Sequence, residues 1–261
     1  MTSKRSIFRW TALAGAALLT AFSIKTYLPE QDTQKQLDAP SAAKELAGGA
    51  ISGKVTYAGG KVRKVKNVIK DEGTCGAHDI MDKSLLTSAD GGLQWAVVSI
   101  TNIDSDKPVT ADNVQGDQLL DQSGCEFKPH VLLVGVNQPL AIMNSDKTLH
   151  NVRTQAFMND PFNKAQIYMP GQPKPTDTTT FAEAEVVEVV CDVHGWMKSY
   201  VHVIEHPYYA VTDENGSFTI PDVPAGKYEL KVWHETLDER TQEVKVSADG
   251  QAEVNFEFPE K

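Results

Sequence analysis

Positive charge is in deficit in this 261-residue chain: 25 lysines and arginines face 35 acidic residues, for a formal net charge of −10. That balance argues against nucleic-acid binding, because no cationic surplus is available to neutralise phosphates. It suits a soluble surface and basic docking partners. Cysteine is also scarce, at three residues. The haem-attachment pattern C-x2-C-H is absent, and a structural zinc site would want more cysteines. Tracts rich in exposed Met and His do not occur, nor does an obvious nucleophile–base constellation. A long apolar run appears once, from Trp10 to about Ile24. It is short for a spanning helix and follows Lys4, Arg5 and Arg9, as the apolar core of an export signal does. Ala21-Phe22-Ser23 offers a small-x-small cleavage site. Left uncut, the segment would remain as a membrane tether with its basic end in the cytoplasm. Either way, everything after Lys25 is expected outside the cytoplasm: periplasmic, secreted or anchored to the inner membrane.

The length allows one or two domains with proper cores. Residues 1–27 read as signal peptide or anchor. Residues 28–50, with Pro29, Pro40 and no large apolar cluster, read as a linker. From Ile51 the pattern becomes that of strands. Ile51–Tyr57 alternates and is broken by Ala58-Gly59-Gly60, and Lys61–Asp71 carries β-branched valines at 62, 65 and 68. Trp95–Ile100 is a buried strand. Further strands are expected at Glu126–Val136, Pro139–Met143, His150–Gln155, Phe181–Val190 and Tyr200–Ile204. The interval Asn159–Thr179 holds four prolines and no sustained period, so it reads as loop. Its apolar members Phe162, Ile167, Tyr168 and Met169 are expected to fold back over one end of the sandwich. The fold class is all-β.

The most informative stretch is EVVEVVCDVHGWMKSYVHV, Glu185–Val203. Two β-type runs are joined by a short loop carrying Cys191, His194 and Met197. C-x2-H-x2-M places a thiolate, an imidazole and a thioether on one connection, and with a second imidazole this is the ligand set of a blue-copper centre. The second imidazole is best supplied by His150, which closes the polar loop NSDKTLHNV, Asn144–Val152. His-Asn-Val followed by C-x2-H-x2-M resembles the cupredoxins, with a ligand loop of the amicyanin/plastocyanin-like, methylamine-utilisation type. The resemblance covers roughly Leu119–Glu205. It implies a Greek-key β-sandwich with one type 1 copper, held by His150, Cys191 and His194 in the plane and by Met197 axially. Asn151 would tie the two ligand loops together. Gly195 and Trp196 would border the electron port at the His194 ring edge. With Cys191 committed to metal, Cys75 and Cys125 remain as a disulfide pair suited to an oxidising compartment. The second C-x2-H, at Cys75 and His78, lacks a methionine and reads as a surface loop.

After Pro207 a third pattern begins. TDENGSFTIPDVPAGKYELKV, Thr212–Val232, resembles the carboxypeptidase regulatory-like (transthyretin-like) β-sandwich. The opening strands of that family resemble Gly53-Lys-Val-Thr and Ala96-Val-Val-Ser, both upstream of the copper segment. Two arrangements follow. In one, residues 51–117 and 206–258 form a discontinuous sandwich around a cupredoxin domain at 118–205; in the other, three units follow one another. His130 and His202 read as structural, whereas His206 and His234 flank the second sandwich. The function the resemblance implies is single-electron transfer, with a c-type cytochrome or a periplasmic dehydrogenase as partner. A subunit of a copper oxidoreductase and a copper-delivery protein are the alternatives. A nitrite-reductase-type enzyme, with a histidine adjoining the cysteine, is disfavoured by Val190 and Asp192 on either side of Cys191.

Overall fold

Apolar and polar residues alternate along many of the strands, each of which buries one face. The computed structural model describes residues 48–60, 64–66, 74–77, 79–248 and 250–260. The segments expected to be leader (1–27) and, for the most part, linker (28–50) lie outside them. Among the described residues the chain is all-β, apart from a single 3₁₀ turn at Cys75–Ala77. No helix there is long and apolar enough to cross a membrane. The first strands are β1 (Gly49–Tyr57), β2 (Lys64–Lys66), β3 (Ile80–Asp82) and β4 (Val97–Ile100). Next come β5 (Leu119–Gln122), β6 (Phe127–Lys128), β7 (Val131–Gly135), β8 (Leu140–Asn144) and β9 (His150–Gln155). They are followed by β10 (Asn163–Gln166), β11 (Thr176–Thr179), β12 (Val186–Val190) and β13 (Lys198–Ile204). The last six are β14 (Tyr209–Val211), β15 (Ser217–Val223), β16 (Gly226–His234), β17 (Leu237–Val246), β18 (Gln251–Glu253) and β19 (Phe256–Phe258).

Strands from the two ends of the chain share sheets. β1 pairs antiparallel with β15, Gly53 opposite Phe218, and parallel with β18 and β19. β4 lies between β14 and β16, and β17 completes that sheet. Ile51, Val55, Val98, Ile100, Phe218, Ile220, Leu230, Val232 and Phe256 fill the space between the two sheets. Gly216 sits in left-handed backbone, with φ 77°, in the turn before β15. A Cβ there would fall 2.3 Å from the Val55 carbonyl oxygen, so only glycine fits.

The intervening strands pair among themselves. One sheet has the order β10-β9-β12-β13-β7 and the other β11-β8-β5-β6. Leu120, Phe127, Leu132, Ile142, Val152, Val187, Val189 and Val201 form their shared core. The two sandwiches meet over Val97, Val109, Val131, Leu133, Ile204 and Val211, with Trp95, Tyr200, Tyr209 and Trp233 packed around them. A buried His130–Glu235 pair crosses this boundary, and the His130 Nδ1 atom lies 3.2 Å from the Lys198 carbonyl. Burial raises the Glu235 carboxyl, but His130 and its other partners outweigh that and hold it below the usual carboxylate range.

Several expectations change. The strand expected over Glu126–Val136 is two strands, because Pro129 has no N–H to give a ladder. Asn159–Thr179 is not all loop: β10 and β11 lie within it as short, polar strands at the outer edges of their sheets. Their side chains are largely exposed, so no apolar alternation marks them. Phe162 packs against the core, but Ile167 and Met169 are 61% and 54% exposed, and these two do not fold back. β1 begins at Gly49, taking the last two residues of the expected linker. Of Lys61–Asp71, only Lys64–Lys66 is described; it pairs with Ile80–Asp82. Cys75 is fully buried rather than in a surface loop, and His78 lies outside the described residues. His234 is buried, not a surface flank.

His202 stands edge-on to Trp233 at 4.5 Å, and its Nε2 has no hydrogen-bond partner. Burial, reinforced by Lys231, pushes its pKa down to about 3, so the folded protein holds the ring neutral. The unfolded chain takes up a proton near pH 6.5 that the folded one refuses until about pH 3. Stability contributed by the neutral ring is therefore complete above pH 6.5 and declines as pH falls through the window between the two values. The expected slope is about 1.4 kcal/mol per pH unit at most. Urea midpoints measured from pH 7 to pH 4 should show it, and His202→Phe should flatten the curve relative to wild type.

Candidate metal centre

Val187, Val189 and Cys191 occupy alternate positions along β12 and its extension, and all three are buried. Period-2 alternation therefore aims the Cys191 sulfur into the sandwich. In the β12–β13 ladder Val190 faces Lys198. One step further, the Cys191 N–H donates to the Met197 carbonyl at 3.3 Å, which sets the cysteine and the methionine opposite each other at the ladder's end. The residues between them form a closed turn, with the Met197 N–H donating to the His194 carbonyl at 2.9 Å. On the other side of β12, β9 pairs with Val190 opposite Arg153. Continuing that register brings Asp192 beside Asn151 and places His150 at the same end of the sheet.

The result is a buried cluster. His150, Cys191 and His194 are 0%, 2% and 3% exposed, and Met197 is 2% exposed. The two Nδ1 atoms, of His150 and His194, face each other at 2.8 Å. His194 Nδ1 lies 3.9 Å from Cys191 Sγ, and the His194 backbone N–H donates to the same sulfur at 3.4 Å. One ligand atom from each of the three residues falls within 4.8 Å of the others. Burial raises the Cys191 thiol, but His150 and the backbone N–H groups of Asn151, His194 and Val193 outweigh it, so its pKa is below that of an ordinary thiol. Burial lowers the His150 imidazole, but Asp146 and Cys191 outweigh it and raise its pKa.

Asn151 links the loops that carry His150 and Cys191. Its Oδ1 accepts the Asp192 N–H at 2.6 Å and its Nδ2 donates to Asp192 Oδ2 at 3.0 Å. Arg153, and after it Asn151, hold the Asp192 carboxyl below the usual range. Gly195 is exposed, and a Cβ there would meet nothing within 4 Å. Trp196 is half-buried, its ring 5.1 Å from that of His194 and its Nε1–H donating to the Cys125 carbonyl at 3.0 Å. Cys75 and Cys125 are joined by a disulfide.

Sequence reasoning missed Asp146. Its Oδ2 accepts the His150 Nε2–H at 2.9 Å, while its two oxygens take the Gly124 and Cys125 N–H groups, each at 2.7 Å. Burial raises this carboxyl, but His150 and the two N–H groups outweigh it and keep its pKa low. The available signal was an acidic residue four positions before His150 in the same polar loop. Cys125, Asp146 and His150 also cluster, but the disulfide removes Cys125 as a thiolate.

Residues 199–259 match the carboxypeptidase regulatory-like domain. That stretch runs from within β13 to just past β19. No curated protein matches the chain. Among solved structures, a purple cupredoxin from Nitrosopumilus maritimus is similar over 34% of this chain and 100% of its own, at 18% identity and a TM-score of 0.28. A methionine-to-alanine mutant of amicyanin, in its Cu(I) form, is similar over 41% of this chain and 98% of its own, at 22% identity and a TM-score of 0.29. A copper-containing nitrite reductase from Thermus scotoductus SA-01 is similar over 40% of this chain and 24% of its own, at 19% identity and a TM-score of 0.28.

Replacing Asn151 with alanine should leave the Asp192 N–H without its acceptor and release the β9 and β12 loops from each other. The expected cost is about 1–3 kcal/mol in the urea stability of the metal-free protein. Faster hydrogen exchange at the Asp192 amide should accompany it.

Proposed function

We propose that this chain is an exported type 1 copper protein that passes single electrons between redox partners and turns over no substrate of its own. The observation that carries the proposal is the convergence of two imidazole Nδ1 atoms and one activated cysteine sulfur, with a buried methionine across the ladder from the cysteine. One thiolate, two imidazoles and a weak thioether suit copper better than harder ions, and the donor set is full without a further cysteine. His150, Cys191 and His194 would hold the metal, with the buried Met197 as a further sulfur donor. Copper supplies a one-electron couple when bound.

The protein's own residues account for the rest. Paired strands on both sides of the ligand turn restrain the donors, so little rearrangement is needed on a change of charge. Burial keeps water from the sulfur, and the N–H groups directed at it favour the thiolate. The His194 ring abuts Trp196 beside open space at Gly195, which is the route outward in this proposal. Leu149 and Val193, next in sequence to the two histidines, and Ile167 and Met169, just beyond the partner strand of His150, are exposed apolar side chains. Such a rim suits brief docking of a c-type cytochrome or a periplasmic dehydrogenase, and the negative net charge steers a basic partner. The run Trp10–Ile24 supports export, with the protein periplasmic, secreted or anchored to the inner membrane.

One equivalent of Cu(II) should give the metal-free protein an intense visible charge-transfer band. Cys191→Ser should abolish the band while the far-UV circular dichroism is unchanged. Stoichiometric but colourless binding by wild type would exclude a type 1 site. Trp196→Glu should slow electron exchange with a c-type cytochrome about tenfold in stopped flow. Steady turnover of nitrite, an amine or oxygen by the isolated protein would instead make it an enzyme.

A further inference from the structure

The Cys75–Cys125 disulfide contributes no donor, yet the backbone beside it reaches both imidazoles. On one side, the N–H groups of Gly124 and Cys125 fix the Asp146 carboxylate, each at 2.7 Å, and Asp146 Oδ2 accepts the His150 Nε2–H at 2.9 Å. A carboxylate on Nε2 settles the tautomer of His150 and leaves the Nδ1 lone pair for metal. On the other side, the Cys125 carbonyl accepts the Trp196 indole N–H at 3.0 Å, and the Trp196 ring packs on His194. One residue's backbone therefore braces both histidines from outside. Cys125 holds left-handed backbone, φ 55°, next to Gly124 at φ 69°. A side-chain-bearing residue seldom stays in that region without restraint. Cys125 is also bonded to Cys75, and both cysteines are fully buried.

We propose that the Cys75–Cys125 disulfide is a positioning element of the metal centre: through Asp146 and Trp196 it sets where the two imidazoles stand, so that cleaving it weakens metal binding without removing any donor. The metal part of this inference rests on the copper reading above. A dithiol would perform the cleavage by thiol–disulfide exchange. Its first thiolate attacks one sulfur, breaking the protein S–S bond, forming a mixed disulfide and releasing the other cysteine as thiolate; its second thiol then displaces the remaining protein sulfur. Two electrons and two protons pass to the protein, leaving two protein thiols and an oxidised, cyclic reductant.

The test compares full-length wild type with Asp146→Asn and with the double variant Cys75→Ala/Cys125→Ala. The first readout needs no copper: the slowly exchanging His150 Nε2 proton, observed by NMR in metal-free protein. Wild type should show it, and both variants should lose it. The second readout is Cu(II) affinity by chelator competition together with the reduction potential. Both variants should bind about 10–100-fold more weakly and shift the potential in the same direction. Should the double variant fail to fold, a phosphine can reduce the disulfide of metal-free wild type, and the same proton is then followed without any substitution. A disulfide-free protein that keeps the proton protected and binds copper within about twofold of wild type overturns the proposal, even where Asp146→Asn has an effect. If wild type binds no Cu(II), the copper reading fails, and the proton measurement still decides whether the disulfide positions His150.

Discussion

The last rung of the β12–β13 ladder joins Cys191 to Met197, and the short chain between them has room only for a closed turn. Most of the site's geometry descends from that constraint. The inward phase of Val187 and Val189 passes directly to Cys191, so the same alternation that builds the core also points the sulfur. The turn then lifts His194 over the sulfur, and backbone N–H groups of the turn face that sulfur and lower its pKa. β9, hydrogen-bonded along the other edge of β12, brings His150 to the same end of the sheet. A slip of one residue in either ladder would send the sulfur or the imidazole to the opposite face.

How much of this was legible in the sequence depended on how local the determinant was. Cys191, His194 and Met197 lie within one turn, and their spacing was readable without tertiary information. His150 required a longer reach, but a histidine closing a polar loop after an apolar run was a recognisable candidate. Asp146 was passed over because its role arises from the far side of the imidazole, where its other partners come from a loop more than twenty residues earlier. The His130–Glu235 pair was equally invisible: it joins residues from opposite sides of the boundary between sandwiches, and neither stands in a motif. Nor did β10 and β11 carry a pattern, since edge strands with mostly solvated side chains need no hydrophobic period. The flaw in placing Ile167 and Met169 over the core was to assume that apolar residues in a loop must be buried; many are not.

Comparisons with known proteins reach unequal depths along the chain. The regulatory-like match begins within β13, so a strand that leaves the ligand turn also opens the matched stretch. β13 thus serves two structures at once. One of its neighbours is β12, which leads into the Cys191–Met197 turn, and its Tyr200 and His202 rings meet Trp233 of β16 edge-on. Any shift of β13 against the second sandwich would be felt at Met197, which immediately precedes it.

The pairing of β1 with β15, β18 and β19 also has a temporal side. A chain made from its amino end releases β1 long before any of those partners exists, whereas β5 to β13 can close using only their own segment. Until then β1 must wait as an unpaired strand, and the polar side chains of Ser52, Lys54 and Thr56 suit it to waiting in water. Joining β4 to β14 across an unstructured stretch of about a hundred residues would cost about 4 kcal/mol in chain entropy. Once the intervening strands have folded, their two ends already lie side by side and most of that cost has been met. Folding in that order would assemble the second sandwich on the first, and a lesion in the first would delay both.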